Sequence, residues 1–210
     1  MIDSGDYGRL STLLIQLNQS PLDPAAEEQF EAYLSLFVRW NTRINLSAVR
    51  TEEEVISRHL IESIIVARCS PAAIANLLDF GSGGGLPGIP IALCRPEISV
   101  TLAESQGKKA AFLQEAVRVL GLKTKVYSGR AETLTDRFDC VILRAVDRMQ
   151  NAVAAAAELV ATERWLALMT TTNELSQLQS CAGGGFSWAE PIGLPGSESR
   201  ILSLGKKLNS

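Results

Sequence analysis

The chain has 210 residues, 46% of them apolar and 20% charged, which excludes a disordered or fibrous protein and leaves room for a sizeable core. A net charge of −3 and a pI near 5.3 argue against coating nucleic acid through bulk charge, so any RNA contact must be local. One histidine, His59, and four scattered cysteines, Cys69, Cys94, Cys140 and Cys181, offer little from which to build a zinc site or a histidine triad, so no metal is expected.

Met1 to Gly8 carries two acids and neither a basic start nor an apolar run, so it does not read as a signal peptide. No stretch approaches the roughly 18 apolar residues of a membrane span. The cysteines sit in apolar contexts that suit a reducing compartment, and the chain is read as cytoplasmic.

From Arg9 to about Arg68 apolar residues recur at helical spacing, as in Leu10, Leu13, Leu14 and Leu17, then Phe30, Tyr33, Leu34, Phe37 and Trp40. Asp23 before Pro24 predicts the cap and first position of a second helix, and Thr51 with Glu54 has the capping-box spacing that opens a third. Residues 1–70 are therefore expected to form a helical extension packed on a core made by residues 71–210. Basic side chains cluster locally at Arg39, Arg43, Arg50 and Arg58, at Lys108 and Lys109, at Arg144 and Arg148, and at Lys206 and Lys207.

After Pro71 short apolar runs alternate with helical stretches. Strands are predicted at Leu77 to Phe80, Val100 to Glu104, Lys125 to Ser128, Cys140 to Arg144 and Leu166 to Met169. Helices are predicted at Gly88 to Cys94, Lys108 to Leu120, Met149 to Ala161 and Asn173 to Cys181. This alternation predicts an α/β fold with a doubly wound, mostly parallel sheet. Phe186 to Leu194 and Ile201 to Lys206, joined through Pro195, Gly196 and Ser197, predict a terminal antiparallel hairpin.

The segment Leu77-Leu78-Asp79-Phe80-Gly81-Ser82-Gly83-Gly84-Gly85-Leu86-Pro87-Gly88 sets a strand, a glycine-rich turn and a helix start in succession. Such a turn lets backbone bend off a strand and approach a ligand closely. Gly83, Gly85 and Gly88 also satisfy G-x-G-x-x-G, and Glu104 ends the next strand 19 residues beyond Gly85, where an acid accepts bonds from ribose hydroxyls. These features alone specify a nucleotide-like ligand and leave a dinucleotide and an S-adenosyl cofactor both open.

Asp79-Phe-Gly-Ser-Gly-Gly-Gly-Leu-Pro-Gly-Ile-Pro resembles the first motif of the RsmG (GidB) family of 16S ribosomal RNA guanine-N7 methyltransferases. Trp40-Asn41 with Ile44 to Arg50 is similar to the family's W-N-x-x-x-N-L-T-x-[VI]-R, and Arg58-His59-Leu60 with Glu62-Ser63 to its R-H-[IL]-x-D-S. Arg95-Pro96, Thr101 to Ser105 and Gly107-Lys108-Lys109, then Gly129-Arg130-Ala131-Glu132 and Arg144-Ala145, complete the likeness, which covers roughly residues 25–145. One departure stands out: the family's Met-Lys-Gly after the fifth strand reads Met169-Thr170-Thr171 here, so a basic residue expected near the substrate is missing.

The resemblance implies a Rossmann-like, S-adenosyl-L-methionine-dependent methyltransferase acting on N7 of a guanosine in the 530-loop region of 16S ribosomal RNA, with the small ribosomal subunit as partner. It implies that Gly81, Ser82, Gly83, Gly85 and Leu86 approach the methionine part of the cofactor, that Glu104 and Ser105 hold its ribose, and that Ala131 and Glu132 flank its adenine. Arg144 would face the active cleft and touch cofactor and substrate; arginine can donate to guanine O6 while leaving N7 free. Its alternative is a carboxylate partner such as Asp147 or Glu132. Arg130 and Lys108 are read as phosphate or cofactor-carboxylate contacts, His59 as a hydrogen-bonded structural residue, and Trp40, Asn41 and Asn45 as a joint between the helical front and the sheet. A monomer is expected. Guanine N7 carries an in-plane lone pair and needs no general base, which suits a chain with one histidine. An NAD(P)-binding oxidoreductase and a non-catalytic nucleotide- or RNA-binding module remain the rival readings.

Overall fold

Capping places the front helices. Asp23 accepts the Ala26 N–H at 2.9 Å to open α2 (Pro24–Asn41), with Pro24 in the first turn where its missing N–H costs nothing. It follows α1 (Arg9–Gln16). Thr51 accepts the Glu54 N–H at 3.3 Å to open α3 (Glu52–Val55) and donates its hydroxyl to the Glu54 carboxylate. The helix predicted from here is not uniform: a π-helical turn over Ile56–Leu60 separates α3 from α4 (Ile61–Cys69). The computed structural model describes residues 7–49 and 51–209. Most of the opening stretch read for a leader, and Arg50 of the basic cluster, lie outside the described residues. None of the described helices is long and apolar enough to cross a membrane.

The second part alternates as the sequence predicts: β1 (Asn76–Phe80), α5 (Gly88–Cys94), β2 (Ser99–Ala103), α6 (Gly107–Val119), β3 (Lys125–Tyr127), β4 (Phe138–Arg144), α7 (Met149–Leu159), β5 (Val160–Thr171) and α8 (Thr172–Cys181). A 3₁₀ turn at Ala131–Thr133 precedes β4. The sheet closes with β6 (Phe186–Trp188), β7 (Ile192–Gly193) and β8 (Arg200–Lys207). Its order is β3-β2-β1-β4-β5-β8-β6, with β1 to β5 parallel and β8 antiparallel to β5 and β6.

Two details differ from the sequence-based expectation. The hairpin's first strand is broken into β6 and β7 around Pro191, which has no N–H to give a ladder; the antiparallel hairpin itself stands at the sheet's end as expected, with β8 against β5 and β6 outermost. β5 starts six residues earlier than the predicted run, because Ala161 to Arg164 bulge out of register between Phe138↔Val160 and Cys140↔Trp165, with Glu163 at φ +60°.

Side chains alternate between the two sheet faces. Leu77, Cys140, Ile142, Ala167 and Met169 join one core with α5, α6 and the front helices, including Leu10, Phe30, Phe37, Leu60 and Ile64. Leu78, Val141, Leu143, Leu166 and Leu168 join the other with α7 and Leu178 of α8. The helix after β1 and the helix after β4 thus lie on opposite faces. The strand order reverses between those two strands, which opens a crevice at their C-terminal ends.

Candidate active site

The glycine turn leaves β1 at that crevice. Gly81, Gly83 and Gly85 all have positive φ, at +74°, +55° and +80°. They are not equivalent: a Cβ at Gly83 would meet nothing nearer than the Gly81 carbonyl at 3.9 Å, so this residue stands open to the cleft. Gly84 and Gly88 are small for packing instead, since a Cβ would lie 2.5 Å from the Phe37 ring at the first and 2.3 Å from Leu102 at the second. Tyr33, fully buried on α2, donates its hydroxyl to the Gly84 carbonyl and ties the turn to the front helices.

Two acids flank the turn. Glu104, just past β2 and buried, accepts the Gly83 N–H at 2.9 Å and the Gln106 N–H at 2.7 Å, which fixes the turn to the neighbouring strand end. Asp79 accepts the Gly88 N–H at 3.0 Å at the start of α5, and burial pushes its carboxyl up to about 7. In a dinucleotide site the first helix N-terminus receives a pyrophosphate. Here an acid of the protein already occupies that position, which disfavours a second anion there and weakens the coincidental G-x-G-x-x-G match.

The crevice continues on both sides of the turn. One cavity of about 790 Å³ is lined by Ser47, Arg58, His59, Gly81 to Gly84, Leu86, Glu104, Ser105, Lys109 and Arg144 to Asp147. A second of about 370 Å³, sharing Gly81, Ser105, Val146 and Asp147 with it, is lined by Gly129 to Glu132, Arg148 and Asn151. A concavity of about 700 Å³ at the opposite ends of the strands, around Asn76, Ser99, Lys125 and Phe138, is remote from the turn.

The wall of the larger cavity is a polar chain between β4 and the front helices. Arg144 donates to the Glu62 carboxylate at 2.8 Å, the Arg58 carbonyl at 2.8 Å, Nδ1 of His59 at 2.9 Å and the Ser63 hydroxyl at 3.3 Å. Glu62 is 1% exposed and its other oxygen takes Arg200 of β8. Burial pushes the Glu62 carboxyl up, opposed by the two guanidinium groups. His59 is pushed down to about 4 by burial and by the adjacent Arg144 charge. Its Nε2 lies 2.7 Å from the Ser47 hydroxyl. Asn41 holds the loop that carries Ser47, accepting the Leu46 and Ser47 N–H groups at 2.9 and 3.0 Å and donating to the Val49 carbonyl at 3.0 Å.

The sequence model described as GidB, rRNA small subunit methyltransferase G, matches residues 26–182. The chain belongs to this family. It is 38% identical to ribosomal RNA small subunit methyltransferase G of Xanthomonas euvesicatoria pv. vesicatoria over 186 residues, 87% of each chain. It is 35% identical to the protein of that name from Chloroflexus aggregans, over 96% of this chain and 91% of the relative. Among solved structures, a SAM-dependent methyltransferase from Aquifex aeolicus superposes with a TM-score of 0.59 over 74% of this chain and 93% of its own, at 12% identity. A predicted O-methyltransferase from Agrobacterium tumefaciens superposes with a TM-score of 0.57 over 70% of this chain and 80% of its own, at 17% identity. These two likenesses carry the fold.

For this GidB-family chain the crevice gathers most of the residues singled out from sequence. Gly81, Ser82, Gly83, Leu86, Glu104, Ser105 and Arg144 line the larger cavity, and Arg130, Ala131 and Glu132 the smaller. Gly85 packs against Ile89 and Leu113 behind the turn. Lys108 is exposed in the first turn of α6, and it is Lys109 that lines the cleft. Arg144 does have a carboxylate partner, but it is Glu62, not Asp147 or Glu132; Glu132 takes Arg130 instead, at 3.2 Å. Trp40 joins the helical front to the second part of the chain through α6, donating to Glu115 at 3.0 Å and packing edgewise on Phe112, whereas Asn41 bonds within the front, to the loop that carries Ser47. Sequence reasoning missed Ser47 and Arg200. Thr170 and Thr171, where the family pattern has Lys-Gly, both donate to Glu174, and Arg200 sits opposite Thr171 in the sheet register.

Proposed function

We propose that this family member is an S-adenosyl-L-methionine-dependent methyltransferase that modifies N7 of a guanosine in 16S ribosomal RNA, with the small subunit as its partner. The observation that carries the reading is the open Gly81–Leu86 turn pinned to Glu104 at the switch point of a sheet whose chain belongs to the rRNA small subunit methyltransferase G family. The residues present fit the cofactor. Gly83 leaves room for close backbone approach, and Glu104 keeps lone pairs for two ribose hydroxyls beyond those given to Gly83 and Gln106. Ser105, Ala131 and Glu132 flank the smaller cavity, where an adenine would lie, and Gly81, Ser82 and Leu86 shape the methionine side, with Gly85 supporting the turn from behind.

Bound there, the cofactor supplies an electrophilic methyl group on a positively charged sulfur. The protein's part is positioning, since guanine N7 is unprotonated at neutral pH and needs no base; orientation of this kind can lower a barrier by about 7 to 11 kcal/mol. Arg144 contributes by holding the β4 end against Glu62 and His59, so that the wall of the cleft is rigid when the base enters. RNA binding is assigned to the basic rim of the two cavities, Arg58, Lys109, Arg130 and Arg148, a local patch on a chain of net charge −3. Lys108 lies beside this rim on α6.

Incorporation of labelled methyl into small subunits that lack the modification tests the reading, with Arg144→Ala alongside. Transfer by the wild type, reduced at least about a hundredfold in the variant, is expected. Cofactor binding with no transfer would favour a non-catalytic module, and nicotinamide binding the oxidoreductase.

A further inference from the structure

Ser47 stands on the cleft wall with a hydroxyl whose orientation is decided by its neighbours. Arg144 Nη2 lies 2.9 Å from His59 Nδ1 and shares its two protons among that nitrogen, the Arg58 carbonyl and the Glu62 carboxylate; because a guanidinium can only donate, the contact assigns the lone pair to Nδ1 and the proton to Nε2. Nε2–H therefore donates to Ser47 Oγ at 2.7 Å. The Val49 N–H donates to the same oxygen at 3.1 Å. A hydroxyl has two lone pairs and one proton; both lone pairs are taken, and among the described residues no bond takes up the proton. Ser47 lines the larger cavity with Gly81 to Gly84, Lys109 and Arg144. The chain Arg144, His59, Ser47 thus converts a serine, ordinarily donor or acceptor, into a donor only.

A second feature points to the same wall. His59 and Arg58 lie in the π-helical turn Ile56–Leu60, and such single turns interrupt α-helices frequently at functional sites. The turn brings the Arg58 carbonyl and His59 Nδ1 to one guanidinium nitrogen, Nη2 of Arg144. Arg144 itself spends that nitrogen on the protein, and so is poorly placed to read a base with it.

We propose that Ser47 is the specificity-determining donor of this cleft, giving its hydroxyl proton to O6 of the guanine whose N7 receives the methyl group, with His59 as the positioning residue behind it. Guanine presents O6 and N7 side by side as acceptors, whereas adenine presents an N6 amino donor where O6 would be. A donor-only serine bonds the first and opposes the second. The inference rests on the proposed transfer to guanine N7 and adds which group selects the base.

The test measures labelled methyl transfer to small subunits carrying guanine or adenine at the modified position, using wild type, Ser47→Ala, Ser47→Thr and His59→Leu. Wild type is expected to favour guanine by at least about a hundredfold. Ser47→Ala lowers kcat/KM on guanine by about tenfold, mainly in kcat, narrows the guanine-to-adenine ratio and leaves the cofactor KM unchanged. His59→Leu follows it, and Ser47→Thr, which keeps the hydroxyl, recovers most of the loss. An unaltered base ratio in Ser47→Ala, or a change confined to the cofactor KM, would overturn the assignment while leaving the proposed activity standing. Wild-type protein inactive on both substrates would overturn the activity and the assignment together.

Discussion

His59 lies against Arg144, Arg58 and Arg200, and burial together with those charges keeps it neutral. Its folded pKa of about 4 is below the unfolded value of 6.5, so between these the unfolded chain binds the proton more tightly. Its contribution to stability is full above pH 6.5 and is lost as pH falls towards 4, by about 3 kcal/mol. Urea unfolding across this range should show a steeper fall for wild type than for His59→Gln; parallel curves would contradict the account. Glu62, 1% exposed between Arg144 and Arg200, is the other decisive side chain. Glu62→Gln leaves two arginines without their carboxylate and is expected to cost about 3 kcal/mol in the same assay at neutral pH, with a loss below 1 kcal/mol arguing against a structural pair. At this scale the sequence was partly legible. His59 reads as a hydrogen-bonded structural residue and is one, but its partners Ser47 and Arg144 lie 12 and 85 positions away, and no local spacing reports a contact of that range.

The glycine turn separates two uses of the same residue type. Gly88→Ala would press a Cβ within 2.3 Å of Leu102 and 2.5 Å of Asp79, and is expected to lower stability by about 2 kcal/mol. Gly83→Ala meets open space and pays only for its φ of +55°, about 1 kcal/mol, yet it narrows the cofactor's approach. Calorimetric titration with S-adenosylmethionine should therefore show the larger affinity loss in Gly83→Ala and urea unfolding the larger stability loss in Gly88→Ala; the reverse order would refute the division. Most elements were legible because capping residues and apolar period mark them, as Asp23, Thr51 and the β1 run do. The π-helical turn was not, since Ile56 and Leu60 keep the i, i+4 spacing of an α-helix. Nor was the bulge opening β5, because Ala161 to Arg164 follow on from a helix of alanines without a breaker.

Over the whole molecule, the front helices and the sheet share one apolar core running from Leu10 to Leu204, and Glu62 bonds to both β4 and β8. We propose that residues 1–70 are an extension without which residues 71–210 cannot keep their fold, since removal would bare the α5 and α6 face. A fragment of residues 71–210 should show no cooperative thermal transition; one that melts cooperatively and binds cofactor would contradict this. The doubly wound sheet was legible from alternation alone. The insertion of β8 between β5 and β6 was not, because strand neighbours this far apart in sequence leave no periodic trace. The family resemblance, rather than composition, carried the RNA substrate. The most direct measurement is therefore nucleoside analysis of 16S ribosomal RNA after reaction of unmodified small subunits with the wild-type protein and labelled S-adenosylmethionine. The account predicts the label in 7-methylguanosine at one position; label at another atom or base, or none, would contradict it.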